Sequence, residues 1–191
     1  VSNNGFTLGN LAHESGHQWG LLHAGSWDCG ANLVGPSLID GTAGGCSISR
    51  YGDIYDPMGG STRHYSSFFK QLLGLIPASQ IAIANTTGIY TLDQLETSSA
   101  GIKQLRIPLG LPGYFYFVEY RNGTGFDSGV NGVLVRLHVG LPSFSIGDDD
   151  SYLINRIFNP GLPFYDPYRD VRVEVLSKNS QQAQVRVTLP N

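Results

Sequence analysis

From Thr7 to Leu22 apolar residues recur at Leu8, Leu11, Trp19 and Leu22, a spacing that suits a helix burying one side. Residues 24 to 63 are rich in Gly, Ser, Asp and Pro and show no sustained period. They predict long irregular loops, of the kind that are usually functional or cross-linked. Ser66 to Leu75 suits a second helix, closed by Gly74 and Pro77. Beyond Asn85 the pattern shortens to β-type segments at Gly88–Leu92, Gln104–Pro108, Tyr114–Tyr120, Val133–Val139, Ser151–Ile154, Val171–Leu176 and Gln184–Leu189. Seven such strands fit a small sandwich. Val171, Val173 and Val175 alternate with polar residues, as do Val185 and Val187, which predicts inward valines in a terminal hairpin turning at Asn179-Ser180. The expected organisation is a helix-and-loop part over 1–84 and a β-rich part over 85–191, with the boundary near residues 77 to 88.

Composition narrows the partners. Charged residues are 14% of the chain, the formal net charge is -3, and no run of Lys or Arg occurs, so nucleic acid is not an expected partner. No stretch approaches the roughly 20 apolar residues of a membrane span, and none is expected. The two cysteines, Cys29 and Cys46, lie in a Gly-rich stretch that can fold back on itself. A disulfide there would stabilise the fold by about 3 kcal/mol and would imply an oxidising compartment. Two unpaired buried thiols are the alternative. The triplets at Asn85 and Asn122 match the acceptor pattern for N-glycans, a common chance match.

The chemistry concentrates in residues 13 to 23, which read His-Glu-Ser-Gly-His-Gln-Trp-Gly-Leu-Leu-His. This is the full H-E-x-x-H-x-x-G-x-x-H pattern. Four residues apart on a helix is one turn, so His13 and His17 can face one metal ion. Gly20 can take a positive φ, end the helix and let His23 approach from another side. Three imidazoles leave the fourth tetrahedral position of a zinc ion open to water, where a structural site is normally closed by a fourth protein ligand. Glu14 is then the candidate general base, and peptide hydrolysis is the reaction these parts suit best.

The extended motif resembles the metzincin clan of zinc metallopeptidases. Tyr55-Asp56-Pro57-Met58-Gly59-Gly60 looks like that clan's Met-turn, which implies that Met58 forms a hydrophobic floor beneath the ligand imidazoles. An ordinary core methionine is the plainer reading. Within the clan the wording is similar to the gametolysin-like family: His23-Ala24, Trp27-Asp28-Cys29, Tyr51-Gly52-Asp53 and Ser61-Thr62-Arg63-His64. Phe117-Val118-Glu119-Tyr120-Arg121 and Thr124-Gly125-Phe126-Asp127 look like the accessory region that follows such domains. The resemblance implies an α+β chain: the lower part of a metzincin catalytic domain, followed by an all-β sandwich-like domain. It further implies a secreted zinc endopeptidase acting on extracellular or cell-wall proteins and glycoproteins.

Two departures accompany the resemblance. Where some metzincins carry a zinc-approaching tyrosine after the Met-turn methionine, this chain has Gly60, which leaves His64 and Tyr65 as candidate contacts to substrate or oxyanion. The sequence also begins only twelve residues before His13, so the upper subdomain is expected from a further segment of a longer protein, with an upper wall from a partner chain or a cleft rebuilt differently as the alternatives. Asp148-Asp149-Asp150 is a candidate calcium loop or a solvated turn. Competing functions are a zinc-stabilised module that binds glycan or protein without catalysis, and an amidase acting on non-peptide bonds.

Overall fold

A computed structural model describes residues 7–38, 40, 42–139 and 149–190. Thr7 caps the first helix, α1 (Leu8–Gln18), its hydroxyl accepting from the backbone N–H of Asn10 at 3.2 Å. The helix ends where Gly20 takes φ +84. The N–H of Leu21 returns to the Gly16 carbonyl at 3.0 Å and that of Gly20 to the His17 carbonyl at 3.0 Å. This pair of bonds is a Schellman closure, and it needs a residue tolerant of left-handed φ at position 20.

The side that α1 buries is not the expected one. Leu8, Leu11, Trp19 and Leu22 are between 46% and 61% exposed, while Gly9 and Gly16 are its buried residues. The reason is close packing: a Cβ at Gly16 would collide with the Met58 sulfur, and one at Gly9 would stand 3.0 Å from the Thr62 methyl. Backbone contact through glycine sets the helix down, and the apolar stripe lies on the opposite side. The second helix, α2 (Ser67–Leu72), falls where predicted, capped by Ser66.

Among the described residues eleven strands form two sheets. They are β1 (His23–Asp28), β2 (Ser47–Ser49), β3 (Ile81–Ile83), β4 (Gly88–Asp93), β5 (Gln104–Pro108), β6 (Phe115–Asn122), β7 (Asn131–His138), β8 (Asp149–Phe158), β9 (Phe164–Asp166), β10 (Val171–Lys178) and β11 (Gln182–Thr188). Seven form one sheet in the order β2-β1-β8-β7-β6-β5-β3, and four form another in the order β4-β11-β10-β9. The protein is therefore mostly β, with two α-helices among the described residues and sheets arranged in a sandwich-like way. All seven predicted strands are present, including the β10–β11 hairpin with Val173, Val175, Val185 and Val187 turned inward.

The expected division at residue 84 does not divide the sheet. β1, from the first part, runs parallel to β8, pairing Ala24 with Ser151 and Trp27 with Ile154. β3 likewise pairs with β5. One buried cluster spans both sheets, joining Trp27 and Val34 to Tyr116, Val135, Val173 and Val185. The stretch from 24 to 63 also contains strands β1 and β2, where loops alone were expected.

The central strands are buried on both faces. Tyr116, Val118 and Tyr120 of β6 face the second sheet, and Tyr116 donates to Asp166 of β9 at 2.8 Å. The opposite face carries Phe117, Glu119 and Arg121, with Leu134 and Arg136 from β7, all fully buried. The Asp53–Phe69 segment covers this charged face, and the candidate site is built on it. The candidate calcium loop falls mainly outside the described residues: Asp148 is not among them, nor are the carboxylates of Asp149 and Asp150.

Candidate metal centre

α1 places His13 and His17 one turn apart, and the Schellman closure swings the chain so that His23 enters β1 beside them. The His13 and His17 rings meet edge-on at 4.7 Å, those of His17 and His23 at 4.8 Å, and those of His13 and His23 stack at 5.4 Å. One ligand nitrogen from each lies within 4.8 Å of the others.

The hydrogen bonds fix which nitrogens are free to bind a cation. His13 Nδ1 sits 2.9 Å from the Pro57 carbonyl, and His17 Nδ1 lies 2.9 Å from that of Leu21. A carbonyl only accepts, so both Nδ1 atoms donate, and in the neutral rings both Nε2 atoms then present lone pairs. Those two Nε2 atoms face each other at 3.1 Å. Two neutral acceptors at that separation repel unless a cation lies between them. Tetrahedral ligation of zinc puts ligand nitrogens about 3.3 Å apart, so the arrangement fits such an ion. The Nδ1–carbonyl bonds are the outer contacts that orient a metal-binding histidine.

Met58 packs under α1, fully buried in a short 3-10 turn, Pro57–Gly59, with its sulfur against Gly16. Asp56 holds the turn: one oxygen accepts from the Met58 N–H at 2.8 Å and the other from the Ser66 N–H at 2.6 Å. Burial, and then the nearby Asp53 charge, push the Asp56 carboxyl up to about 7, against the pull of Arg136 and these N–H groups. Because the Pro57 carbonyl also meets His13 Nδ1, the Met58 turn and the His13 ring share one support.

Glu14 is exposed and lines a cavity of about 180 Å³ with Gly9, Asn10, His13, Tyr51 and Gly60. Cys29 and Cys46 form the expected disulfide, joining the end of β1 to the segment leading into β2.

No protein-family model, curated protein or solved structure matches this chain.

The two remaining candidates from the sequence are occupied elsewhere. The Tyr65 hydroxyl donates to the Ala12 carbonyl at 2.6 Å and so braces α1. Burial, then the Asp56 charge, raise its pKa, which keeps it a neutral donor. His64 Nε2 accepts from the Phe126 N–H at 3.1 Å, and Nδ1 faces Glu96 at 3.5 Å. Burial lowers its pKa in spite of Glu96 and Asp127, so the neutral ring is favoured. Neither residue joins the three-histidine group, because the sequence after the Met-turn leads toward α2.

Residues given no role from sequence form the site's foundation. Arg136 pairs with Asp53 at 2.6 Å and with Glu119 at 2.6 Å. Arg121 pairs with Glu119 at 2.7 Å and with Asp127 at 3.0 Å, and donates to the Tyr55 and His64 carbonyls. Glu119 also accepts from the Ser67 N–H at 2.7 Å. Burial alone would raise the Glu119 pKa, but Arg121 and Arg136 together outweigh it and hold the group at about 2. The only signal in sequence was charge inside apolar strands, a pattern that ordinarily marks a solvent face.

Proposed function

We propose that the protein is a zinc-dependent endopeptidase of metzincin type, most similar to the gametolysin-like family, in which His13, His17 and His23 hold the metal. The observation that carries this reading is the pair of Nε2 atoms facing each other at 3.1 Å, each ring set by a carbonyl at its Nδ1, which leaves the neutral rings' Nε2 lone pairs for a cation. A bound zinc would supply a Lewis acid and make water acidic enough to attack near neutral pH.

Glu14 shares the cavity beside His13. Exposed to solvent there, its carboxylate takes a proton from the attacking water and passes it to the departing amine. A site whose metal served only stability would have no use for a base at this position. Met58, buried against Gly16, keeps the underside of the site dry and fixes the distance between α1 and the turn. The Cys29–Cys46 disulfide supports an oxidising, extracellular setting, and hence protein or glycoprotein substrates found there. Among the described residues no helix is long and apolar enough to cross a membrane.

The test is elemental analysis beside hydrolysis of a denatured protein substrate, for wild type and Glu14→Ala. About one zinc per chain in both, with chelator-sensitive cleavage by wild type alone, is expected. One zinc per chain without cleavage by wild type would favour a zinc-stabilised binding module.

A further inference from the structure

Between β2 and the Met-turn the chain does something unusual. Tyr51 has φ +58, one of three described non-glycine residues with a positive value, the others being Leu33 and Asp170. A bulky side chain rarely adopts this conformation, and where it does the surroundings must hold it there. Here the two residues that follow it are anchored. The Gly52 N–H bonds to the Ser49 carbonyl at 3.1 Å, and Gly52 is packed so closely on Ser26 that no Cβ would fit. The Asp53 N–H bonds to the Ala24 carbonyl at 3.2 Å while its buried carboxylate pairs with Arg136.

The outcome is a tyrosine laid over the candidate ligands. Its ring centroid is 4.2 Å from that of His23 and 5.7 Å from that of His13. It stays 49% exposed and lines the same cavity as Glu14. That cavity needs a hydrogen-bond donor as well as a base, because the carbonyl oxygen of a peptide gains negative charge as water adds to the carbon. Of its lining residues, Gly9 and Gly60 have no side chain, Glu14 only accepts, and the Nδ1 proton of His13 is held by Pro57. Asn10 and Tyr51 remain, and Tyr51 is the one that lies against two of the imidazoles.

We propose that Tyr51 is a catalytic residue of this cleft, its phenol donating a hydrogen bond to the scissile carbonyl oxygen as charge develops there, while its ring covers His23 and His13. This rests on the zinc-peptidase reading. The phenol keeps its proton throughout; it stabilises charge and transfers nothing. The strained backbone at position 51 is then the means by which a loop outside the zinc-binding helix delivers a donor to the cavity.

The experiment compares wild type with Tyr51→Phe, which keeps the ring and deletes the hydroxyl. A fluorogenic peptide gives kcat and KM, elemental analysis gives zinc per chain, and calorimetry gives the affinity of a phosphinic pseudopeptide that mimics the tetrahedral state. The expected result is a fall in kcat of about 100-fold or more at little-changed KM, with zinc retained and phosphinate affinity reduced in proportion. Wild-type kcat and phosphinate affinity in Tyr51→Phe would overturn the proposal and leave the ring as packing alone. Absence of zinc or of cleavage in the wild type would instead overturn the peptidase reading on which it stands.

Discussion

His13, His17 and His23 gather three candidate ligand atoms, and so do His64, Glu96 and Asp127, again within 4.8 Å. By distance alone the two groups are equals. Their lone pairs face different things. In the second group the Lys70 ammonium sits 2.6 Å from Glu96, Arg121 pairs with Asp127, and His64 already accepts from Phe126. A positive charge is built into that group by the chain itself. In the first, two acceptor nitrogens point at each other, and the residues around them supply carbonyls to the far side of each ring. Closeness of donor atoms therefore says little about metal binding until the partner of each lone pair has been identified.

The sharpest way to break this contrast is to remove one histidine from each group. His17→Ala should weaken zinc by more than the roughly 10–100-fold that loss of an outer hydrogen-bond partner costs, whereas His64→Ala should keep one zinc per chain. Competition with a chelating dye reads both. A loss of zinc in His64→Ala alone would reverse the assignment of the two groups.

A smaller effect is expected beneath them. Glu119→Gln leaves Arg121 and Arg136 short of a buried partner and should cost about 3–5 kcal/mol in denaturant unfolding. The same carboxylate sets a pH dependence. Its folded pKa of about 2 lies below the ordinary value of 4.5, so its contribution is complete above pH 4.5 and is lost as pH falls towards 2. The acid limb of the stability curve should therefore flatten in the variant. A parallel acid limb would mean that the buried network does not depend on this charge.

The least change is expected from Lys70→Met. It removes one of the two cations paired with the second group and should lower stability by about 1.5–3 kcal/mol while zinc stays at one per chain. A thermal melt with elemental analysis checks this. Equal stability would show that Lys70 and Glu96 are paired without consequence.

How far these features could be read in the sequence depends on how each is encoded. The nearness of His13 and His17 is legible because helix geometry converts a spacing of four directly into adjacency, and Gly20 marks the turn that brings His23 beside them. The later strands are legible because Val, Tyr and Phe alternate or run together there. β1 was missed since His-Ala-Gly-Ser-Trp-Asp carries no β-branched residue, and β2, β3 and β9 have three residues each, too few for a period. The helix at 8–18 was legible as a helix but not in its orientation. Its glycines rather than its leucines make the contact, and an apolar stripe does not reveal that. Tyr51 stands out in the sequence only through a family resemblance, because nothing in a sequence marks a tyrosine that will take a left-handed backbone. Glu119, Arg121 and Arg136 look like solvent-facing charges until the Asp53–Phe69 segment is seen to cover them.

The pairing of β1 with β8 carries a consequence for when the site comes into being. His23 meets residue 149 across that pairing, and the strand that begins with His23 has β2 on its other side. Parallel pairing between such distant stretches of chain forms slowly, since a long loop must close before any contact repays it. During synthesis, then, His13 and His17 can share a helix early, but the third imidazole finds its place only once the sheet has closed around it. A nascent chain of this kind would emerge with its three imidazoles not yet gathered.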